Sequence, residues 1–206
     1  QRGIAERLAH QIAEAIRTLN EAIGIIGEQD PLAATLAHHN LGICQTIQGD
    51  ALNGQRELET AHRLAELHGD EVNAAYIAHD MGVAELRQGH LIEARKNFHR
   101  ALMHWRKTGN LADVAMTLQG LSVVHHHLAQ YTEAENRIEE SLSKARAQKA
   151  ERLEAYALSN LGDLYRDTGR YEEALRTYRE AMATASSVRA SSLMEPVPST
   201  IPALDD

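Results

Sequence analysis

The sequence predicts an all-α solenoid of about nine helices, stacked as two-helix units, and three observations carry that prediction. The first is internal repetition: Leu41-Gly42 returns as Met81-Gly82, Leu121-Ser122 and Leu161-Gly162, each pair 40 residues after the last. Three further series keep this register: Gly54, Ala94, Ala134, Ala174; then Leu58, Phe98, Ile138, Tyr178; then Ala61, Ala101, Ser141, Ala181. A fixed period of this length marks a stacked array in which each unit covers the apolar face of its neighbour. The second observation is punctuation. Gly49, Gly89 and Gly169, with Ala129 in the remaining slot, interrupt the pattern once per unit, and Gly69 and Gly109 interrupt it again halfway. Glycine reaches the left-handed backbone that closes a helix without strain, so two breaks per period give two helices per unit. The third is composition: 43% of residues are apolar but only 4% aromatic, with one Trp and one Phe, so Ala, Leu, Ile, Val and Met must build the core by helix packing.

The breaks leave segments of roughly 17 residues, an ordinary helix length. The expected helices are 3–27, closed ahead of Pro31; 32–48, closed by Gly49; 51–67 and 72–88, closed by Gly69 and Gly89; and 91–107, closed by Gly109. Then come 112–128, ending at the Ala129 slot; 131–147, fixed by the period; 152–168, closed by Gly169; and 171–187. In each pair a small residue faces another (Gly42 and Gly54, Gly82 and Ala94, Gly162 and Ala174), so that the two helices approach closely while Leu41, Met81, Leu121 and Leu161 fill the seam. From Ser186 the character changes: Ser186, Ser187, Ser191, Ser192, Pro196, Pro198 and Pro202 are expected to stop the helix and leave a Ser/Pro-rich tail over 188–206, a linker or terminus. A sharper alternative has Leu193, Met194, Val197, Ile201 and Leu204 docking on the last helix or in a groove as an extended ligand mimic.

These units resemble tetratricopeptide repeats, most fully at Leu158, Leu161, Gly162, Tyr165, Gly169, Ala174, Tyr178 and Ala181. Earlier units depart from that pattern, with His38 or Ala78 where the family often has a large residue, Gln45, Glu85 or His125 at the Tyr165 position, and Gly54 for alanine. The period is similar to that of the longer-unit subclass found in kinesin light chains, spindle-orientation adaptors and the sensor arms of bacterial regulators of the maltose-activator type. HEAT-type repeats have a comparable length, and the Leu-Gly and alanine series decide against them. The resemblance implies a tetratricopeptide-type α-α superhelix over 1–187: a half repeat at 1–31, where Ala15, Leu19, Ala22 and Pro31 match a second helix, and full repeats at 32–70, 71–110, 111–150 and 151–187. With neither end capped, the array is expected to be cut from a longer protein or to pair as a homodimer through an exposed end, the former preferred.

In this family the first helix of each pair lines a concave face, so matching positions form columns across a groove. The columns are Leu36, Tyr76, Met116 and Tyr156; His39, His79, Gln119 and Ser159; Asn40, Asp80, Gly120 and Asn160; and Ile43, Val83, Val123 and Asp163, with Arg87, His127 and Asp167 a turn further on. Aromatic anchors mixed with hydrogen-bonding groups suit an extended or helical peptide, and Asn40 and Asn160 can each pair with a peptide amide. The clamp of Lys and Arg by which some members hold a C-terminal carboxylate is missing from these columns. Asp80, Asp163 and Asp167 against Arg87 lean towards an apolar partner with some basic character. The leading function is therefore a protein- or peptide-binding scaffold, with the interaction or sensor arm of a larger bacterial regulator as its expected setting; the alternative is a sensor of small molecules or signal peptides.

Charge and motifs narrow the other classes. A net charge of −8 argues against a nucleic-acid partner, and no apolar run approaches the length of a membrane span. The single cysteine, Cys44, fits a core thiol in a reducing, cytoplasmic setting. Twelve histidines raise a metal reading, but successive residues of a helix point about 100° apart, so His125, His126 and His127 cannot share one ion. His125, at the Tyr165 position, is instead expected to be a packed, hydrogen-bonded core residue. His39, His79 and Asp80 are the one set able to converge from adjacent helices. No phosphate-loop, dinucleotide, zinc-protease or nucleophile-elbow motif is present, and Glu133, Glu135, Glu139 and Glu140 belong to a solvated face. No catalysis, cofactor or metal is assigned.

Overall fold

In the computed structural model the described residues are 2–26 and 30–194, and they form nine α-helices. These are α1 (Arg2–Ile26), α2 (Pro31–Gln48), α3 (Ala51–Leu67), α4 (Glu71–Gln88), α5 (Leu91–Thr108), α6 (Leu111–His127), α7 (Tyr131–Ala147), α8 (Glu151–Asp167) and α9 (Tyr171–Met194). The first eight begin and end within about a residue of where the period places them. The pairs α2/α3, α4/α5, α6/α7 and α8/α9 form the hairpins of four units; each first helix also packs on the second helix of the unit before it, and successive first helices touch. The result is an α-α superhelix whose contacts are all between near neighbours.

The breaks work as the sequence implies. Gly49, Gly69, Gly89, Gly109 and Gly169 all have positive φ, between 69° and 98°, and so do Ala129 at 55° and Lys149 at 52°. Lys149 occupies the slot of Gly69 and Gly109, so the period sets the backbone there even where the residue opposes it, at a cost of about 1 kcal/mol. At the helix starts, the Asp30, Asp50 and Asp70 carboxylates accept from the amides of Ala33, Asn53 and Asn73 at 3.0, 3.3 and 3.0 Å, which satisfies donors that the helix itself leaves unpaired.

One expectation fails. The helix does not stop at residue 187 but continues through Ser186, Ser187, Ser191 and Ser192 to Met194. Serine penalises a helix only mildly, and Ser186 Oγ donates to the Met182 carbonyl at 2.8 Å, within the same helix. Docking of Leu193, Met194, Val197, Ile201 and Leu204 concerns side chains outside those described.

The core follows the repeat series. Leu58, Phe98, Ile138, Ala61, Ala101 and Ser141 are all buried, as are Leu41, Leu121 and Leu161, while Met81 is half-buried. The Ser141 hydroxyl, placed where its neighbours have alanine, donates to the Ala115 carbonyl at 2.8 Å and so is buried without an unpaired donor. The hairpins close at their small residues: a Cβ on Gly162 would stand 2.6 Å from the Tyr178 ring, and one on Gly82 would stand 2.8 Å from Phe98. Between α5 and α9 the outer surface is laced by ion pairs, Arg106 to Glu140 at 2.8 Å and Arg146 to Glu154 and Glu180 at 2.7 and 2.6 Å.

Two predictions follow from this backbone. Gly54→Ala restores the residue found in the other three units, yet its Cβ would collide with Thr46 Oγ1 and stand 2.9 Å from the Gly42 carbonyl oxygen. It is expected to destabilise by about 1–2 kcal/mol in urea denaturation, and a gain in stability contradicts the close-approach argument. Lys149→Gly is expected to raise stability by about 0.5–1 kcal/mol in the same assay, because it relieves the left-handed lysine.

Candidate functional site

The face formed by α2, α4, α6 and α8 carries the residues that the register assigns to a groove, and the columns separate by what their side chains touch. Leu36 and Tyr156, at the two outer units, stand out from it, 41% and 57% exposed. The two central members of that column do not. Tyr76 is half-buried, its hydroxyl donating to Asp113 Oδ2 at 2.9 Å and its ring lying 4.6 Å from Trp105, and Met116 is half-buried too. Tyr76 is thus a packing residue as well as a surface one.

The second column stitches neighbouring helices together. His39 Nε2 lies 2.7 Å from Asp80 Oδ2. His79 is buried and faces Thr117 Oγ1 at 3.3 Å, with its ring edge-on to Phe98. Gln119 donates to the Leu153 carbonyl at 2.9 Å, and Ser159 to the Ala155 carbonyl at 3.0 Å. His79 therefore offers no surface to a ligand: it is taken up in the seam because α4 and α6 approach closely at that level. His39 and Asp80 meet, but His79 turns away, and among the described residues no group of three or more metal-ligating side chains converges.

Of the third column, Asn40 is exposed; one N–H of its amide donates to the Leu36 carbonyl of its own helix at 2.8 Å, leaving its oxygen and its second N–H for a partner. Asn160 is half-buried and lines a recess. Ile43, Val83 and Val123 of the fourth column are half-buried, and Arg87, His127 and Asp167 are exposed. Asp163 accepts from Arg166 at 2.8 Å and from the Tyr178 hydroxyl at 2.6 Å, and Asp167 accepts from Arg166 at 2.8 Å and faces His126 at 3.1 Å. The Arg166 hydrogen bond holds the Asp167 carboxyl below the usual range, so it is ionised at neutral pH. Both aspartates are thus already hydrogen-bonded, to a single arginine between them.

Arg166, His126 and Ile47 join this face without having been picked out among its residues. Ile47 shares the register of Arg87, His127 and Asp167, and that register was the available signal. Phe98 and Asp113 act from beneath, where only a structure shows their reach. His125 is buried and its Nδ1 lies 2.7 Å from Gln130 Oε1, the packed core histidine that its position implies. Cys44 is only half-buried, and burial pushes its thiol up.

Stacked two-helix units with a column-bearing face define a helical-repeat solenoid as the class of protein. The Tetratricopeptide repeat family matches residues 73–147 and 113–187, together more than half of the chain, and the protein belongs to that family. Among solved structures, BtubC (BKLC) from P. vanneervenii is 18% identical, with 95% of this chain and 80% of that one covered at a TM-score of 0.75. A Podosopora anserina putative kinesin light chain with nearly identical TPR-like repeats is 16% identical over 91% of this chain and 94% of its own, with a TM-score of 0.72. Aspartyl phosphate phosphatase F from Bacillus subtilis is 15% identical over 82% and 45%, with a TM-score of 0.69. These likenesses show the fold. Among curated proteins no match is found.

Burial pushes the His79 ring below the ordinary imidazole value, a shift that Asp80 and Asp113 partly oppose. The unfolded chain then takes up this proton first as pH falls. The stability contributed by the neutral ring is fully present above about 6.5 and is lost progressively below it. The thermal midpoint of His79→Gln is expected to fall less between pH 7.5 and pH 5.5 than that of the parent protein, and equal falls contradict a neutral buried His79.

Proposed function

We propose that the protein is a non-catalytic scaffold that holds a protein or peptide along the face of α2, α4, α6 and α8. The observation that carries this reading is the exposure of Tyr156 and Leu36 on that face, at a repeat position whose central members are half-buried. Aromatic and aliphatic side chains held out beside Asn40, Arg87 and His127 are the elements from which peptide-binding surfaces are made. The reading includes the groove residues of the register, with His79 and Gln119 acting as supports. It also includes a place in the cytoplasm of a bacterium, as the interaction arm of a larger regulator, and no nucleic-acid partner.

The alternative, a sensor of small molecules, calls for an enclosed apolar pocket of about 300–1,000 Å³. The recesses on this face measure about 80 and 270 Å³, both short of that range, which favours the scaffold. A larger cavity of about 500 Å³ lies between α8 and α9, bordered by Tyr156, Met182 and Val188. Met182 is 71% exposed there, whereas Leu142 and Leu102 at the same repeat position are buried, so this face is shaped to receive another helix. Pairing with a second copy through it belongs to the proposal. No helix among those described is long and apolar enough to cross a membrane.

Tyr156→Ala, alone and with Leu36→Ala, is expected to weaken capture of the partner about tenfold or more while leaving the thermal midpoint within a few degrees. The check is affinity purification from the source cell followed by titration of the captured protein. Capture that survives both substitutions unchanged sinks the groove assignment. Tyr76→Ala is unsuited to this test, because it also removes the contacts with Trp105 and Asp113.

A further inference from the structure

The two recesses on the first-helix face are related by the repeat. One lies between α2 and α4 above Leu58, and the other between α6 and α8 above Ile138. Residues of the first correspond to those of the second two repeats later: Ile47 to His127, Val83 to Asp163, Arg87 to Asp167. At the seam between them, α4 against α6, Phe98 takes the place of Leu58 and Ile138. Its fully buried ring reaches across to Gly120, where a Cβ would stand only 2.5 Å from Phe98 Cζ. That ring fills the middle seam.

The recesses differ in chemistry. The α2/α4 recess has aliphatic walls, Ile43, Ile47 and Val83, with Asp80 and Arg87, of opposite charge, also lining it. The α6/α8 recess presents Asp163, Asp167 and Asn160. Arg166 donates to both carboxylates at 2.8 Å each, the Tyr178 hydroxyl donates to Asp163 at 2.6 Å and His126 lies 3.1 Å from Asp167, so two negative charges face a single guanidinium. Such a surface favours a side chain that brings hydrogen-bond donors and positive charge.

We infer that this face reads a peptide at two points, a small aliphatic side chain between α2 and α4 and a lysine or arginine side chain between α6 and α8, with the intervening stretch passing over the Phe98 seam. The inference rests on the groove reading and specifies its ligand. Neighbouring first helices pack about 10 Å apart, so the anchors are about 20 Å apart. An extended chain covers that distance in about six residues.

Selection from displayed random peptides of about 12 residues against the whole chain tests this. Enriched peptides are expected to pair an aliphatic residue with Lys or Arg about six positions away, in either order. For one such peptide, Asp163→Asn with Asp167→Asn should weaken binding about tenfold and abolish the basic preference on reselection, and Val83→Asp should do the same to the aliphatic preference. Asp167→Asn alone, at an exposed position, keeps the test open should Val83→Asp unfold the protein. Phe98→Leu, which copies the residue at Leu58, should add a third preference about midway between the two. If Leu36→Ala weakens binding but the aspartate and Val83 variants do not, or if the anchors are not paired, the two-point reading is overturned and the groove stands. Peptides insensitive to all these variants, or a library that yields none, overturn both.

Discussion

The close approach of the two helices in each unit is the constraint on which everything else rests. At Gly42 and Gly54, at Gly82 under Phe98 and at Gly162 under Tyr178, there is no room for even one added carbon without movement of a neighbour. Dispersion contacts fall away steeply with distance, so a seam this tight is well packed only when one side is glycine, leaving room for the leucine or aromatic ring opposite. Because the same approach recurs at a constant interval, each unit presents its first helix at the same level as the last. The columns on the first-helix face are a product of that regularity. Loosen the hairpins and the surface residues lose their alignment before the array loses its helices.

The histidines show how the same array absorbs polar groups. His79, His125 and His62 are buried at positions where neighbouring units carry Gln119, Glu85 or Leu102, and each reaches a partner on an adjacent element or its own helix end. Their number suggested chemistry, but their spacing along single helices turned them in different directions. His79 and His62 add contacts between units, at Thr117 and Arg100, and His125 closes the turn of its own unit. Ion pairs do similar work on the outer surface, where Arg146 connects α7 to both α8 and α9. Exposed pairs of this kind contribute modestly one at a time and gain from being linked.

The architecture was legible in the sequence almost residue by residue, because a 40-residue period constrains each position four times over. Lys149 illustrates the strength of that constraint: its identity argues against a left-handed break, and its register alone demands one. The end of α9 was misread for the opposite reason. Past the last repeat there is no second copy of the pattern to consult, and serine content is a weak guide against the pull of an established helix. The face was legible only in outline. Register says which side chains share a column, but whether a column is solvent-facing or sewn into the next helix depends on side-chain length and direction. Leu36 and Tyr156 proved open while His79 closed over. The reach of Phe98 across to Gly120 has no counterpart in any one-dimensional pattern, since it depends on three helices at once.

That ring has one more consequence. A perfectly periodic surface is degenerate: a ligand that fits one stretch fits the next, shifted by a unit, and binds in several overlapping positions of equal energy. Such a surface has no single address and no defined stoichiometry. By filling one seam and leaving its neighbours open, Phe98 breaks the translational symmetry that the repeats impose. A chain assembled from near-identical parts thereby acquires a start and a finish, and a bound partner can be held in one frame.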